Sequence, residues 1–172
     1  MYIPRKFKLR ADRDWLPDVV ANPFATVVSQ LDKTPCVCHI PIVIKDSEIG
    51  RIAIGHVSRE NPIWKCWHPE TSQSCLVFTG PNAYVSPMTY QDAIQVPTWN
   101  YIAIELEGRV RRLDAEGLLG LLEGLSDRHE ARIIEGDFWK IDKVPEAKLR
   151  GLLAAIVGFE LEIQAWRPTL KL

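Results

Sequence analysis

The segment PTWNY, residues 97–101, concentrates aromatic rings and hydrogen-bonding groups at the point where a strand begins. A hydroxyl, an indole, a side-chain amide and a phenol follow one another there, at Thr98, Trp99, Asn100 and Tyr101. From Ile102 onward apolar and polar residues alternate, which predicts a half-buried β-strand. An aromatic surface with a few hydrogen-bonding groups at its edge is the kind of surface that holds a planar heteroaromatic ligand.

A second segment of this kind is GPNAYVSP, residues 80–87, which contributes the ring of Tyr84 and the hydroxyl of Ser86. For each of these residues singly, a structural role in a turn or in barrel packing is at least as plausible as ligand contact. Their clustering is what favours a binding site.

A third segment, GHVSRENP at residues 55–62, ends a predicted strand with an imidazole, a hydroxyl and a guanidinium, at His56, Ser58 and Arg59. Arginine offers a fixed fork of donors, and a helix N-terminus offers free N–H groups, so such a group can bind an anion. The simpler interpretation is that Ser58 and Asn61 cap a helix while Arg59 is solvated.

The sequence lacks the motifs of several other functional classes. The sequence contains no G-x-S-x-G elbow and no glycine-rich phosphate loop. The 21 basic and 22 acidic residues balance to a net charge of −1, and no helix-turn-helix spacing is evident, so direct DNA binding has no support. The basic run Arg109, Arg111 and Arg112 is interpreted as a solvated strand face. No run of about 18 apolar residues occurs, and we predict a cytoplasmic protein without a membrane segment.

The four cysteines, Cys36, Cys38, Cys66 and Cys75, are interpreted as buried free thiols. The nearby His39 and His68 make a metal site worth weighing, but Cys36 and Cys38 are one residue apart within a strand, and zinc knuckles need two to four. We therefore predict no metal; a redox pair is the remaining alternative.

The elements that must position these groups are mostly strands. A short helix limited by Pro17 precedes a hairpin of residues 24–30 and 35–44, with Pro41 marking an edge strand or a bulge. Further strands are predicted at about 50–57 and 75–87, the latter broken at Gly80-Pro81, with a short helix carrying Trp64 between them.

The sequence pattern changes from strands to helices after the strand that begins near Ile102. Leucines at helical spacing follow Asp114, a plausible N-cap, and a second helix begins near Pro145 with Gly158 as its stop. The helical segment is thus placed at about 114–158 and a final strand at about 159–166. The whole chain, residues 1–172, is predicted to be one α+β domain, mainly β, with an antiparallel barrel and C-terminal helices.

Several segments together resemble the PaiB family of FMN-binding negative transcriptional regulators. They occur in order along the chain: MYIPRKF (1–7), ANPFATVVS (21–29), HIPIVI (39–44), IGHVSRENPIW (54–64), FTGPNAYVSPMTY (78–90), VPTWNYIAIELEGRV (96–110), LSDRHE (125–130) and AIVGFELEI (155–163). Joint occurrence of so many segments is much more specific than any one of them.

The resemblance implies a six-stranded split β-barrel of the FMN-binding type, a homodimer, and a flavin held where the subunits meet. It suggests His56, Ser58 and Arg59 for the FMN phosphate. For the flavin ring it suggests Tyr84, Ser86, Thr98, Trp99 and Asn100. Regulation would be indirect. Three alternatives stay open: a flavin-dependent oxidoreductase, a haem- or deazaflavin-binding module, and DNA binding by the dimer.

Overall fold

The computed structural model describes residues 14–67, 72–91 and 94–171, and in that part of the chain seven antiparallel strands form one sheet. The strands are β1 (Phe24–Leu31), β2 (Thr34–Pro41), β3 (Val43–Ser47), β4 (Gly50–Ser58), β5 (Gln73–Val85), β6 (Thr98–Arg112) and β7 (Ile156–Lys171). Their order across the sheet is β2-β1-β5-β6-β7-β4-β3. The three longest strands, β5, β6 and β7, are therefore neighbours in its middle.

The helices lie before the first strand and between the last two. They are α1 (Leu16–Ala21), α2 (Ala115–Glu130) and α3 (Glu146–Ala154), with short 3-10 turns at Pro62–Cys66, Pro87–Thr89 and Ile141–Lys143. The predicted N-cap of α2 is confirmed, because the Asp114 carboxylate accepts a hydrogen bond from the Gly117 amide at 2.8 Å. Pro17 sits in the first turn of α1, which stays short, as predicted.

The sheet is curled because its two edge strands are consecutive in the sequence. β2 pairs with β1 at one edge and β3 pairs with β4 at the other, yet only Ile42 separates them. The Ile42 amide donates to the Pro23 carbonyl at 2.9 Å, so the interruption falls directly after Pro41, where a bulge or edge was predicted. The sheet is thus an antiparallel barrel that is split between β2 and β3.

Two apolar clusters hold the fold. The larger fills the barrel interior, where the rings of Trp67 and Phe159 lie 4.5 Å apart and both side chains are almost fully buried. The smaller lies outside the barrel, where Leu118, Leu121 and Leu125 of α2 pack on Ile52 and Ile54 of β4. One side of β4 therefore faces the barrel interior and the other is covered by α2, as the two-residue period of a strand requires.

The predicted fold class is confirmed, with differences in count and boundaries. The barrel has seven strands rather than six, because the predicted run 35–44 is divided at Ile42. The final helix ends at Ala154 and the last strand runs from Ile156 to Lys171, so the prediction of Gly158 as a helix stop is wrong. Pairing of β7 with β4 and β6 on its two sides outweighs the helical spacing of the leucines before it. The single-domain assignment stays a prediction.

All four cysteines are free thiols, with Cys38 and Cys66 buried and Cys36 and Cys75 half-buried. Burial raises the pKa of Cys38 to about 11. No group of three or more metal-ligating side chains occurs among the described residues; His68 and the segment 1–7 lie outside them. Across the described ranges, no helix has both the length and the apolar character needed to cross a membrane.

Candidate functional site

Arg59 lies just beyond the end of β4 and is tied to the end of α3. Its Nε donates to the Ala154 carbonyl at 2.7 Å, its Nη2 to the Ile156 carbonyl at 3.0 Å, and its backbone amide to the Ala155 carbonyl at 2.8 Å. A guanidinium at carbonyls that have no partner within the helix is favourable for both hydrogen bonding and the helix dipole. Arg59 therefore fixes the junction between α3 and β7, a role that the simple solvated interpretation did not include.

A tryptophan and a second arginine adjoin Arg59. The Trp64 indole donates to the Arg59 carbonyl at 2.9 Å, and the guanidinium carbons of Arg59 and Arg112 lie 6.0 Å and 5.9 Å from the centre of the Trp64 ring. These distances are within the range of a cation–π contact. Sequence reasoning missed Arg112, which it assigned to a solvated face; its place at the end of β6, two strands from β4, depends on sheet order.

Ser58 and His56 lie near Arg59 but differ in accessibility. Ser58 is exposed, and its hydroxyl accepts a hydrogen bond from the Glu60 amide at 3.2 Å. Of the two residues predicted to cap the helix, Asn61 is the cap, since its side chain accepts from the Ile63 amide at 3.0 Å; Ser58 lies before the turn and is not its cap. His56 pairs with Gly158 of β7 on the face of β4 covered by α2, and its Nδ1 has no hydrogen-bond partner among the described residues.

Burial of His56 has a consequence for the pH dependence of stability. Desolvation disfavours the imidazolium and lowers the pKa of His56 below its ordinary value. The unfolded chain therefore binds a proton at this imidazole more readily than the folded chain does. As the pH falls through the unfolded pKa, about 6.5, this difference lowers the free energy of unfolding.

We expect the free energy of unfolding to decrease between about pH 7.5 and pH 5.5, and His56→Gln to remove part of that decrease. Urea unfolding at several pH values measures it. The same substitution at His129, on α2, is the control. An equal pH dependence for His56→Gln and the parent protein would contradict the assignment.

The aromatic group lies where β5 and β6 pair. Tyr84 and Trp99 are directly opposite each other across the ladder, with ring centres 6.2 Å apart and planes inclined by 57°. The Trp99 indole donates to the Asn82 side chain at 3.3 Å. Both rings are about half exposed, so two aromatic faces inclined to each other, with one amide at the edge, are accessible from outside.

The other predicted members of this group lie beside the rings. Thr98 pairs with Val85 and Asn100 with Ala83. The Thr98 hydroxyl accepts a hydrogen bond from Lys171 Nζ at 2.6 Å. Ser86 instead caps the next 3-10 turn, because its hydroxyl accepts from the Met88 amide at 3.2 Å. Lys171, at the end of β7, is a cation near this group that sequence reasoning missed.

The structure does not bring the two groups together within one chain. Thr98 and Arg112 are the ends of β6, whose 15 residues span roughly 45 Å when extended. The aromatic group lies at the Thr98 end. Arg59 lies at the other end, because Arg112 pairs with Phe159 and the adjacent residues of β7 pair with the end of β4. This separation is far greater than the length of one flavin nucleotide.

The chain around the aromatic group exposes several large apolar side chains. Large apolar side chains there are strongly exposed, Met88 by 92% and Ile94 by 90%, together with Val96, Tyr84, Tyr90 and Trp99. Several strongly exposed large apolar side chains close together in the sequence favour an interaction or ligand surface. Aromatic residues and methionine are also enriched at protein interfaces.

These groups fit the chemistry of FMN. The exposed rings of Tyr84 and Trp99 suit contact with a largely apolar aromatic ring system, and the arginines at the other end of β6 suit a phosphate. The aromatic group thus suits the flavin ring and the arginine group suits the phosphate. Neither group has features suited to both parts of the cofactor.

Solved structures with a similar fold define the class of the protein. The FAD and heme binding protein from Mycobacterium smegmatis has a TM-score of 0.65 at 20% identity, covering 94% of this chain and 72% of its own. The flavocytochrome Anf3 from Azotobacter vinelandii has a TM-score of 0.64 at 16% identity, covering 99% and 73%. This chain therefore has the split-barrel fold of flavin-binding proteins.

Sequence comparison assigns the family within that class. The profile described as "Putative FMN-binding domain" matches residues 1–165. The protease synthase and sporulation protein PAI 2 of Bacillus subtilis is 31% identical over 173 residues, covering 100% of this chain and 81% of that protein. The chain belongs to this family, the PaiB family of FMN-binding split-barrel proteins, and its domain is of a type that binds a flavin cofactor.

Proposed function

We propose that this protein is a homodimer that binds FMN between its two subunits and regulates indirectly, through the bound flavin or a partner. In each site one subunit contributes the phosphate group at Arg59, and its partner contributes the aromatic group at Trp99. The observation that carries the proposal is the separation of these groups along β6, which no flavin bridges within one chain. Two chains related by a twofold axis form two such sites.

The apolar surface around Trp99 supports a second copy as the neighbour. It combines large exposed apolar side chains with the site residues themselves, so dimerisation and completion of the flavin site would use one surface. The balanced charge of the chain supports indirect regulation, because binding to DNA phosphates relies on an excess of positive charge. The cytoplasmic location stays a prediction from the sequence.

The first experiment is the absorption spectrum of freshly purified protein, before and after denaturation, with an FMN titration of any colourless fraction. We expect flavin bands that shift on denaturation, or saturable FMN binding with one flavin per subunit. Sedimentation of the same sample should give the mass of a dimer. A protein that neither carries nor binds FMN would overturn the proposal; a monomer that binds FMN would overturn its two-subunit form.

Haem binding is the second candidate, favoured by the two similar structures whose names include haem or a cytochrome. His56 would be neutral, as a haem ligand must be, since burial lowers its pKa. Its ring lies on the face of β4 covered by α2, however, and would have to be uncovered. A Soret band in the purified protein, lost in His56→Gln, would support haem; flavin bands alone would reject it.

A further inference from the structure

We propose that Arg112, which lies against the same Trp64 ring as Arg59, is the main cation for the FMN phosphate and makes the site selective for the phosphorylated flavin. This inference rests on the proposed function and adds a residue outside the predicted set. Arg112 and Arg59 both line a groove of about 370 Å³ between α2, α3 and the strands. Both guanidiniums are exposed there, so an anion can reach them.

The hydrogen bonds of the two arginines differ in a way that assigns their roles. Arg59 directs Nε and Nη2 to the carbonyls at the end of α3, which occupies two of its five donors and fixes the orientation of its guanidinium. Arg112 contacts the Trp64 ring, and its guanidinium makes no hydrogen bond or ion pair with another described residue. An arginine has five donors, and those of Arg112 are available for phosphate oxygens.

Trp64 holds the pair in place. Its indole is fixed by the hydrogen bond to the Arg59 carbonyl. Trp64 is also the third residue after the Asn61 cap and lies within the 3-10 turn, so the backbone of that turn sets its position. Two guanidiniums that share one aromatic ring keep their charges near each other without a carboxylate between them. Such a pair lowers its own repulsion by binding a dianion, which a phosphate monoester supplies.

One carboxylate borders the groove and has another partner. Asp114 caps α2 through the Gly117 amide, so it is held at the helix N-terminus. The rest of the groove wall is largely apolar, including Leu118, Leu153 and Val157. The two arginines therefore leave the groove with a net positive charge and a low-dielectric wall, which strengthens attraction for an anion.

The neighbouring arginines on β6 do not share this geometry. Arg111 forms an ion pair with Glu160 at 2.9 Å, and Arg109 lies opposite Glu162 on β7. Neither contacts Trp64 in the described structure. Arg109→Ala removes the same charge from the same strand and is the matched control for Arg112→Ala.

The experiment compares FMN with riboflavin, which lacks the phosphate, in fluorescence titrations of the full chain. We expect Arg112→Ala to weaken FMN binding by about 10- to 100-fold, as for loss of charged hydrogen bonds. Riboflavin affinity should change by less than about twofold, and Arg109→Ala should bind both like the parent protein. The FMN affinity of the parent should also fall with salt more steeply than that of Arg112→Ala.

A second titration without flavin tests the anion site by itself. The Trp64 indole N–H resonance, assigned with Trp64→Phe, is followed while inorganic phosphate is added to the parent protein and to Arg112→Ala. We expect a saturable shift in the parent that is lost in the variant. Chloride at equal ionic strength controls for screening.

The two titrations separate the possible failures. Phosphate binding that depends on Arg112, with no binding of FMN, would keep the anion site and overturn the proposed flavin function. FMN binding that Arg112→Ala leaves unchanged would keep the function and overturn the role of Arg112. Equal losses for FMN and riboflavin would also overturn it, because they would indicate a general distortion of the site.

Discussion

Gly108→Ala is expected to lower the free energy of unfolding by more than about 4 kcal/mol, or to abolish folding. A Cβ atom at this position would lie 1.8 Å from the Glu162 carbonyl oxygen, far inside any allowed contact. Gly108 sits at the register shift between β6 and β7, where the Glu162 backbone lies close against it. The β7 backbone has no room to retreat, because Glu162 is also paired with Ile52 of β4.

Other glycines provide a graded set of controls. At Gly158 a Cβ would meet the Leu118 side chain at 2.9 Å, and since a side chain can shift, Gly158→Ala should cost less. At Gly120, within α2, nothing lies within 4 Å, so Gly120→Ala should stabilise the protein by about 0.4–1 kcal/mol. Urea unfolding measures all three. A Gly108→Ala protein as stable as Gly158→Ala would show that β6 and β7 are not packed as described.

Arg59→Ala and Trp99→Ala are each expected to weaken FMN binding, whereas a mixture of the two variants should recover part of the tight binding. In a homodimer of one variant, both composite sites carry the defect. In a mixed dimer one site carries both defects and the other has the native Arg59 of one subunit and the native Trp99 of its partner. Complete exchange of subunits should therefore restore about a quarter of the parent FMN capacity.

The measurement is the FMN capacity of the mixture after exchange in mild urea and refolding, compared with each variant treated alone. A double variant carrying both substitutions, mixed with Arg59→Ala, is the control and should recover nothing. If the Arg59 and Trp99 groups served one site in the same chain, mixing would recover nothing either. That result, with both single variants folded and dimeric, would contradict the two-subunit site.

Arg59→Ala is also expected to affect the stability of the fold, separately from its effect on FMN binding. Arg59→Ala removes two side-chain hydrogen bonds from the end of α3, and α3 has no fully buried residue to compensate. Its unfolding midpoint is therefore expected to fall slightly. Recovery of FMN binding in the mixture would show that the Arg59→Ala subunit still folds well enough to contribute its Trp99 to the shared site.

The sequence by itself determined the elements whose signals are local. Alternation from Ile102, the cap at Asp114 and the interruption after Pro41 each depend on near neighbours, and the structure confirms them. The sequence also determined the family, because many short segments that resemble the PaiB family occur in order along the chain. The eight candidate site residues follow from that resemblance, and their role in binding stays a prediction.

Only the tertiary structure decided where the candidate groups lie relative to one another. The place of Arg112 beside Arg59 depends on β7 separating β4 from β6, and sheet order involves contacts between residues distant in sequence. The same holds for the start of β7 at Ile156, where pairing on two sides outweighs local helical spacing. Local patterns reveal which face of a strand is apolar; which strands become neighbours is determined by packing of the whole chain.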